Sequence, residues 1–132
     1  MKRISLSVIA VFLSWSVMDY IIHGVILGSS YAATAPLWRP MSEMKMGVMY
    51  VAVLIGAIAF VVIFSHFASK KGVATGLKYG IWFGIGTGVP MGYGTYSVMP
   101  IPYVMALTWC LGSIVEAAIG GLIVGAFINK ES

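Results

Sequence analysis

The sequence predicts an all-α integral membrane protein: four transmembrane helices in one small bundle, with both termini cytoplasmic. Three observations carry that prediction. Of 132 residues, 60% are hydrophobic and only 9% charged, with a mean hydropathy of +0.97, which is more apolar surface than a soluble domain of this size hides from water. The apolar residues fall into four runs of about 20 or more, each long enough to cross a hydrocarbon core of roughly 30 Å. The cations are also shared unequally between the two sides that such a four-span chain would have.

The first run, Ile4 to Leu27, follows Lys2 and Arg3 and contains Asp19 and His23. With the small residues Ala33-Thr34-Ala35 beyond it, this start resembles a secretory signal. The run is longer than a signal core and holds two ionisable groups, so a retained span is the expectation. The second run, Gly47 to Phe67, follows a connector from Tyr31 to Met46 that carries Pro36, Pro40, Arg39, Glu43 and Lys45. The third, Val73 to Gly92, follows Ser69-Lys70-Lys71-Gly72, and the fourth, Pro102 to Ile128, follows an uncharged stretch rich in Tyr and Pro. A single domain over residues 1–132 results.

Lys2, Arg3, Lys70, Lys71, Lys78 and Lys130 then share one side, against Arg39 and Lys45 on the other. Lys and Arg near span ends stay cytoplasmic, which places both termini there. The expected location is a bacterial inner membrane. Tyr31, Tyr50, Tyr93, Tyr96, Tyr103 and Trp38 gather at the outer boundary, where amphipathic rings suit the headgroup region. The net charge of +4 thus reflects topology, and no nucleic-acid partner is read from it.

Glycine recurs at Gly72, Gly76, Gly80, Gly84, Gly88 and Gly92, a strict four-residue spacing, with Gly86 and Gly94 added. Glycine is a poor helix former in water. In a bilayer, small residues at every fourth position let another helix backbone come close. The ladder reads as a packing groove, within the chain or against a partner. It drifts by about 40° per step around a helix of 3.6 residues per turn, which suits a crossed partner. Pro90 is placed to kink or unwind the outer end of this span.

Asp19 and His23, four residues apart, share a helix face with Ser16 nearby. Glu116 lies in the fourth run between Gly112 and Gly120, so its side chain should leave from a small-residue stripe and point into the bundle. Carboxyl groups in a bilayer are expensive and are functional by default. Depth counting separates them: Asp19 sits about 22 Å outward from Ile4 and Glu116 about 21 Å inward from Pro102, at about 1.5 Å per residue. On that count the two acids meet only through water or helix tilt. His66 falls at the opposite side from His23, so a bis-histidine haem is excluded and no cofactor is expected.

Met41, Met44, Met46 and Met49 precede or open the second run. Thioethers select Cu(I), and Met41 and Met44 would share a face of a helix. Methionine is equally a flexible filler at protein contacts. A phosphate loop, a nucleophile elbow and a paired-cysteine motif are all missing from the chain, so an enzyme is not expected.

The first expectation for function is therefore a structural or accessory subunit, packing through its glycine faces in a homo-oligomer or a larger membrane complex. The alternative is a small transporter or a proton or ion conduit using Asp19, His23 and Glu116. Extracytoplasmic Cu(I) handling by the methionines is third.

Overall fold

The computed structural model describes residues 1–129, and Lys130, counted above among the cations of one side, lies outside them. Helix α1 runs Lys2–Asp19 and continues without a break as a π-helical segment, Tyr20–Ile26. A short α2, Gly28–Ala33, and two 3-10 turns, Ala35–Leu37 and Met41–Glu43, lead into α3, Met46–Phe67. Then come α4, Val73–Val98, and α5, Tyr103–Phe127, and no strand occurs among the described residues.

Three helical stretches are long and apolar enough to cross a membrane: Lys2–Ile26, Met46–Phe67 and Tyr103–Phe127. Helix α4 is longer than α3, at 26 residues against 22. Its glycines, Lys78 and hydroxyl side chains keep it out of that set of three.

The glycine ladder lies inside the chain. Gly76, Gly80, Gly84, Gly88 and Gly92 are all buried. A methyl group added at Gly80 would meet the carbonyl of Ala117, one at Gly84 the Cα of Ile114, and one at Gly92 the carbonyl of Ala106. From Gly76 the contact partners descend along α5 from Gly125 and Gly121, so the two helices are antiparallel, backbone against backbone. The partner thus follows the winding stripe along its length instead of crossing it once. Gly121 and Gly125 are the complementary small residues on α5. Gly72 joins the contact through its backbone, since a methyl at Gly125 would meet the Gly72 carbonyl; it caps α4 at φ 127°, a conformation open to glycine, and a methyl on Gly72 itself would meet nothing.

Pro90 does not unwind α4, which continues to Val98. Pro90 is exposed, while Gly88 and Gly92 on either side of it are held against α5. That contact holds the backbone helical across the missing amide.

Two apolar clusters divide the bundle lengthwise. At the end carrying the chain termini, Val11, Phe60, Val61, Phe64, Ala117 and Val124 pack together, and Tyr79 donates to the Phe60 carbonyl at 2.7 Å. Arg3 donates to Asn129 Oδ1 at 2.9 Å, tying the start of α1 to the end of α5. At the far end Ile22, Leu27, Ile101, Met105, Ala106 and Trp109 form the second cluster. Helix α3 belongs to the first cluster only: from Met46 to Ile55 every residue except Val53 is exposed.

Candidate functional site

Helices α1 and α5 run antiparallel, and three contacts set their register. Ile22 packs on Gly112, and Trp15 packs on Gly120. Trp15 Nε1 also donates to the backbone carbonyl of Glu116 at 2.8 Å. Gly112 and Gly120 are therefore packing positions, as their spacing suggested, but they receive side chains of α1 where the ladder glycines receive a backbone.

This register puts Asp19 opposite Glu116, and their carboxyl groups come within hydrogen-bonding reach. The helix register closes the gap that depth counting left to water or tilt. The two residues were counted from opposite faces across a fixed thickness, although both helices are longer than that thickness. Counted from the same end, where Arg3 meets Asn129, Asp19 is about 24 Å up α1 and Glu116 about 20 Å up α5, at about 1.5 Å per residue. Side chains bridge that difference.

From the pair a line of polar groups leads toward the far end. His23 Nε2 lies 3.9 Å from Asp19 Oδ1. On its other side His23 Nδ1 is 2.7 Å from the Tyr31 hydroxyl, which accepts a hydrogen bond from Trp109 Nε1 at 3.1 Å. An indole only donates, so the tyrosine oxygen accepts there and its own hydrogen is free to be donated to Nδ1, the tautomer that also turns an N–H toward the Asp19 carboxylate. Neutral His23 then carries its hydrogen on Nε2, facing Asp19. Every donor in the line points inward.

The π-helical segment makes this line possible. Leu27 N–H bonds to the Ile22 carbonyl at 2.9 Å, five residues back. Such wide turns are frequent at functional sites. Here the wide turn follows directly after Asp19 and contains His23, while α2 brings Tyr31 back over the imidazole. Trp38 stacks edgewise on both Tyr31 and Trp109, closing an aromatic cap around the histidine. Burial holds the Tyr31 phenol above its ordinary pKa, opposed in part by the Trp109 donor, so Tyr31 remains a donor in neutral conditions.

Glu116 Oε1 and Ser16 Oγ are buried with no hydrogen-bond partner among the described residues. Asp19 and His23 are less enclosed, with 26% and 36% of their side chains exposed. Asp19, His23 and Glu116, singled out from the sequence, are thus brought together. Tyr31, Trp109 and Trp15 complete the site and were missed, since a lone aromatic residue carries no signal of its partner.

The four methionines do not form the arrangement that a continuous helix would give. Met41 lies in a 3-10 turn, Met44 in extended backbone, and α3 starts only at Met46. Met41 and Met44 therefore do not share a face of an α-helix, because Pro40 and the extended Met44 keep the helix from starting earlier. All four are exposed, and among the described residues no group of three or more His, Cys, Asp or Glu side chains is placed to hold a metal. His66 bonds back to its own helix at the Val62 carbonyl, 3.1 Å away.

No protein-family model, curated protein or solved structure gives a match to this chain, so its function has to be read from the site itself.

Proposed function

We propose that this chain is a small membrane protein that conducts protons along the line from Glu116 and Asp19 through His23 to Tyr31. In this reading α4 is a fourth span, both termini are cytoplasmic, the host is a bacterial inner membrane, and copies associate to enclose the exposed flank of Asp19 and His23. The observation that carries it is the approach of the Asp19 and Glu116 carboxyl groups between two apolar clusters. Two carboxyl groups within hydrogen-bonding reach of each other bond only when one of them carries a proton, so in this reading the pair is a unit that holds and passes a proton. Intramembrane acids that meet in this way mark proton relays in other membrane proteins. His23 presents Nε2 to Asp19 and Nδ1 to Tyr31. Protonation at one nitrogen with release from the other moves a proton between the pair and the aromatic cap.

The test is proton uptake by liposomes containing the purified chain, an enclosed pH-sensitive dye and an imposed membrane potential. Wild type should exceed protein-free liposomes. Asp19→Asn and Glu116→Gln should fall to the protein-free level while eluting from a sizing column as wild type does, and Glu43→Gln, an exposed acid in the connector before α3, should conduct normally. Wild-type flux equal to that of empty liposomes, or carboxyl variants that conduct as wild type does, would falsify the proposal.

A second reading, an accessory subunit of a larger membrane complex, is favoured by the outer half of α3. That half is apolar, and among the described residues it is left exposed from Met46 to Ile55 except at Val53. Association would then run through α3, because the glycine ladder is occupied by α5. Extraction from the native membrane in a mild detergent separates the readings. Recovery with stoichiometric larger subunits supports the accessory role, and recovery as a homo-oligomer alone supports the conduit.

A further inference from the structure

At the end that carries the chain termini, α3 and α4 leave an open-sided groove of about 310 Å³, lined by Phe64, Phe67, Thr75, Lys78, Tyr79 and Trp82 among others. Apart from Lys78 and two hydroxyl groups its walls are apolar. From Thr75 to Trp82 it extends about 10 Å along α4, at about 1.5 Å per residue.

Lys78 sits in this groove with no hydrogen-bond or ion-pair partner among the described residues. Its neighbour Lys71 is already committed: its ammonium donates to the carbonyls of Phe64, Ser65 and Ala68, each at 2.8 Å, capping the end of α3. Lys2, Arg3, Lys70, Lys71 and Lys78 share this end of the molecule. The carboxyl groups among the described residues are elsewhere: Asp19 and Glu116 pair midway along the bundle, and Glu43 lies in the connector leading to the outer end of α3. Lys78 is about 7 Å inside α4 from Val73, at about 1.5 Å per residue. That is the level at which a lysine reaches back to the headgroup boundary. Trp82 lies one turn deeper and is 72% exposed, so with α4 as a span, as in the reading above, its ring faces the acyl region.

We propose that this groove binds one phospholipid with a net negative headgroup, its phosphate on Lys78 and the first methylenes of one acyl chain against Phe67, Tyr79 and Trp82. Charge complementarity selects the occupant. The local excess of cations attracts a net anion, and a zwitterionic headgroup brings its own cation to an already positive face. The apolar wall beside Lys78 favours an anion that carries a hydrocarbon chain.

Native mass spectrometry of the purified chain in detergent tests this, with phosphatidylglycerol and phosphatidylcholine of the same acyl chains added separately. Wild type should retain one phosphatidylglycerol about fivefold more than phosphatidylcholine, the ratio expected for one cation near an anionic headgroup. Lys78→Gln should bring the two lipids level, whereas Lys45→Gln, in the connector before α3, should leave the preference intact. Phosphatidylglycerol with brominated chains should also quench the emission difference between wild type and Trp82→Phe. Equal retention of both lipids by wild type, an unchanged preference in Lys78→Gln, or no quenching of Trp82 overturns the assignment.

Discussion

The indole of Trp15 and the backbone of Glu116 hold α1 and α5 in register, with Nε1 donating to the carbonyl oxygen at 2.8 Å. One turn further along α1 this same register brings Asp19 to the Glu116 carboxyl. Trp15 also packs edgewise on Phe60, with ring centroids 5.2 Å apart, so α3 bears on the same residue. Trp15→Phe keeps most of the ring against Phe60 and removes the donor. Thermal unfolding in detergent should show a loss of about 1 kcal/mol, the net worth of one such hydrogen bond. Proton flux should fall along with it, because the carboxyl groups lose the contact that aligns them.

Glycines on α4 divide into two kinds that a substitution series should separate. At Gly80 a side chain meets the backbone carbonyl of Ala117, which cannot turn aside, whereas at Gly86 it meets nothing within 4 Å. Gly80→Leu should destabilise the folded chain by about 1–3 kcal/mol or more, the usual penalty for overpacking. Gly86→Ala should be neutral or stabilising by up to about 1 kcal/mol through helix propensity. Unfolding curves of both variants check this, and equal destabilisation would remove the distinction.

Tyr31→Phe leaves His23 Nδ1 and Trp109 Nε1 without the hydroxyl that joins them. Flux through the liposome assay should drop to the level of His23→Gln, and the double variant should drop no further, since both changes cut one line. Burial raises the Tyr31 phenol above its ordinary 10.0, so it keeps its proton as pH rises to that value. The fractional loss in Tyr31→Phe should therefore be constant with pH below 10.0. A loss that disappears as pH rises in that range counts against the relay order.

Lys71 stabilises the end of α3 by donating to three carbonyls and by setting a positive charge at the negative pole of the helix. Its ammonium also lies 5.3 Å from the centre of the Phe64 ring. Lys71→Gln should lower stability by about 0.5–1 kcal/mol. Hydrogen exchange should quicken at the amides of the last turn of α3 and remain unchanged in α5.

Helical architecture and three stretches long and apolar enough to cross a membrane follow from the sequence, because hydropathy and span length are local properties that need no partner to be read. The same holds for the groups worth attention: Asp19, His23 and Glu116 stand out since an ionisable side chain in an apolar run is costly wherever it points. The glycine ladder was equally plain as a groove. Which helix fills it was not, because any helix with small residues fits, and only packing shows that Gly121 and Gly125 of α5 are the complement.

The meeting of Asp19 with Glu116 belongs to tertiary structure alone. It depends on the register between two helices distant in sequence, and the Trp15 indole, the fit of Ile22 on Gly112 and the Arg3–Asn129 tie set that register. The π-helical turn is likewise a matter of context, since Tyr20–Ile26 contains no residue that demands a five-residue hydrogen bond. Sequence determined that the chain would carry two carboxyl groups and a histidine on long apolar helices, because composition and periodicity are carried by each segment on its own. Tertiary structure decided that they form one line, because a shift of a single helical turn between α1 and α5 would leave each carboxyl alone.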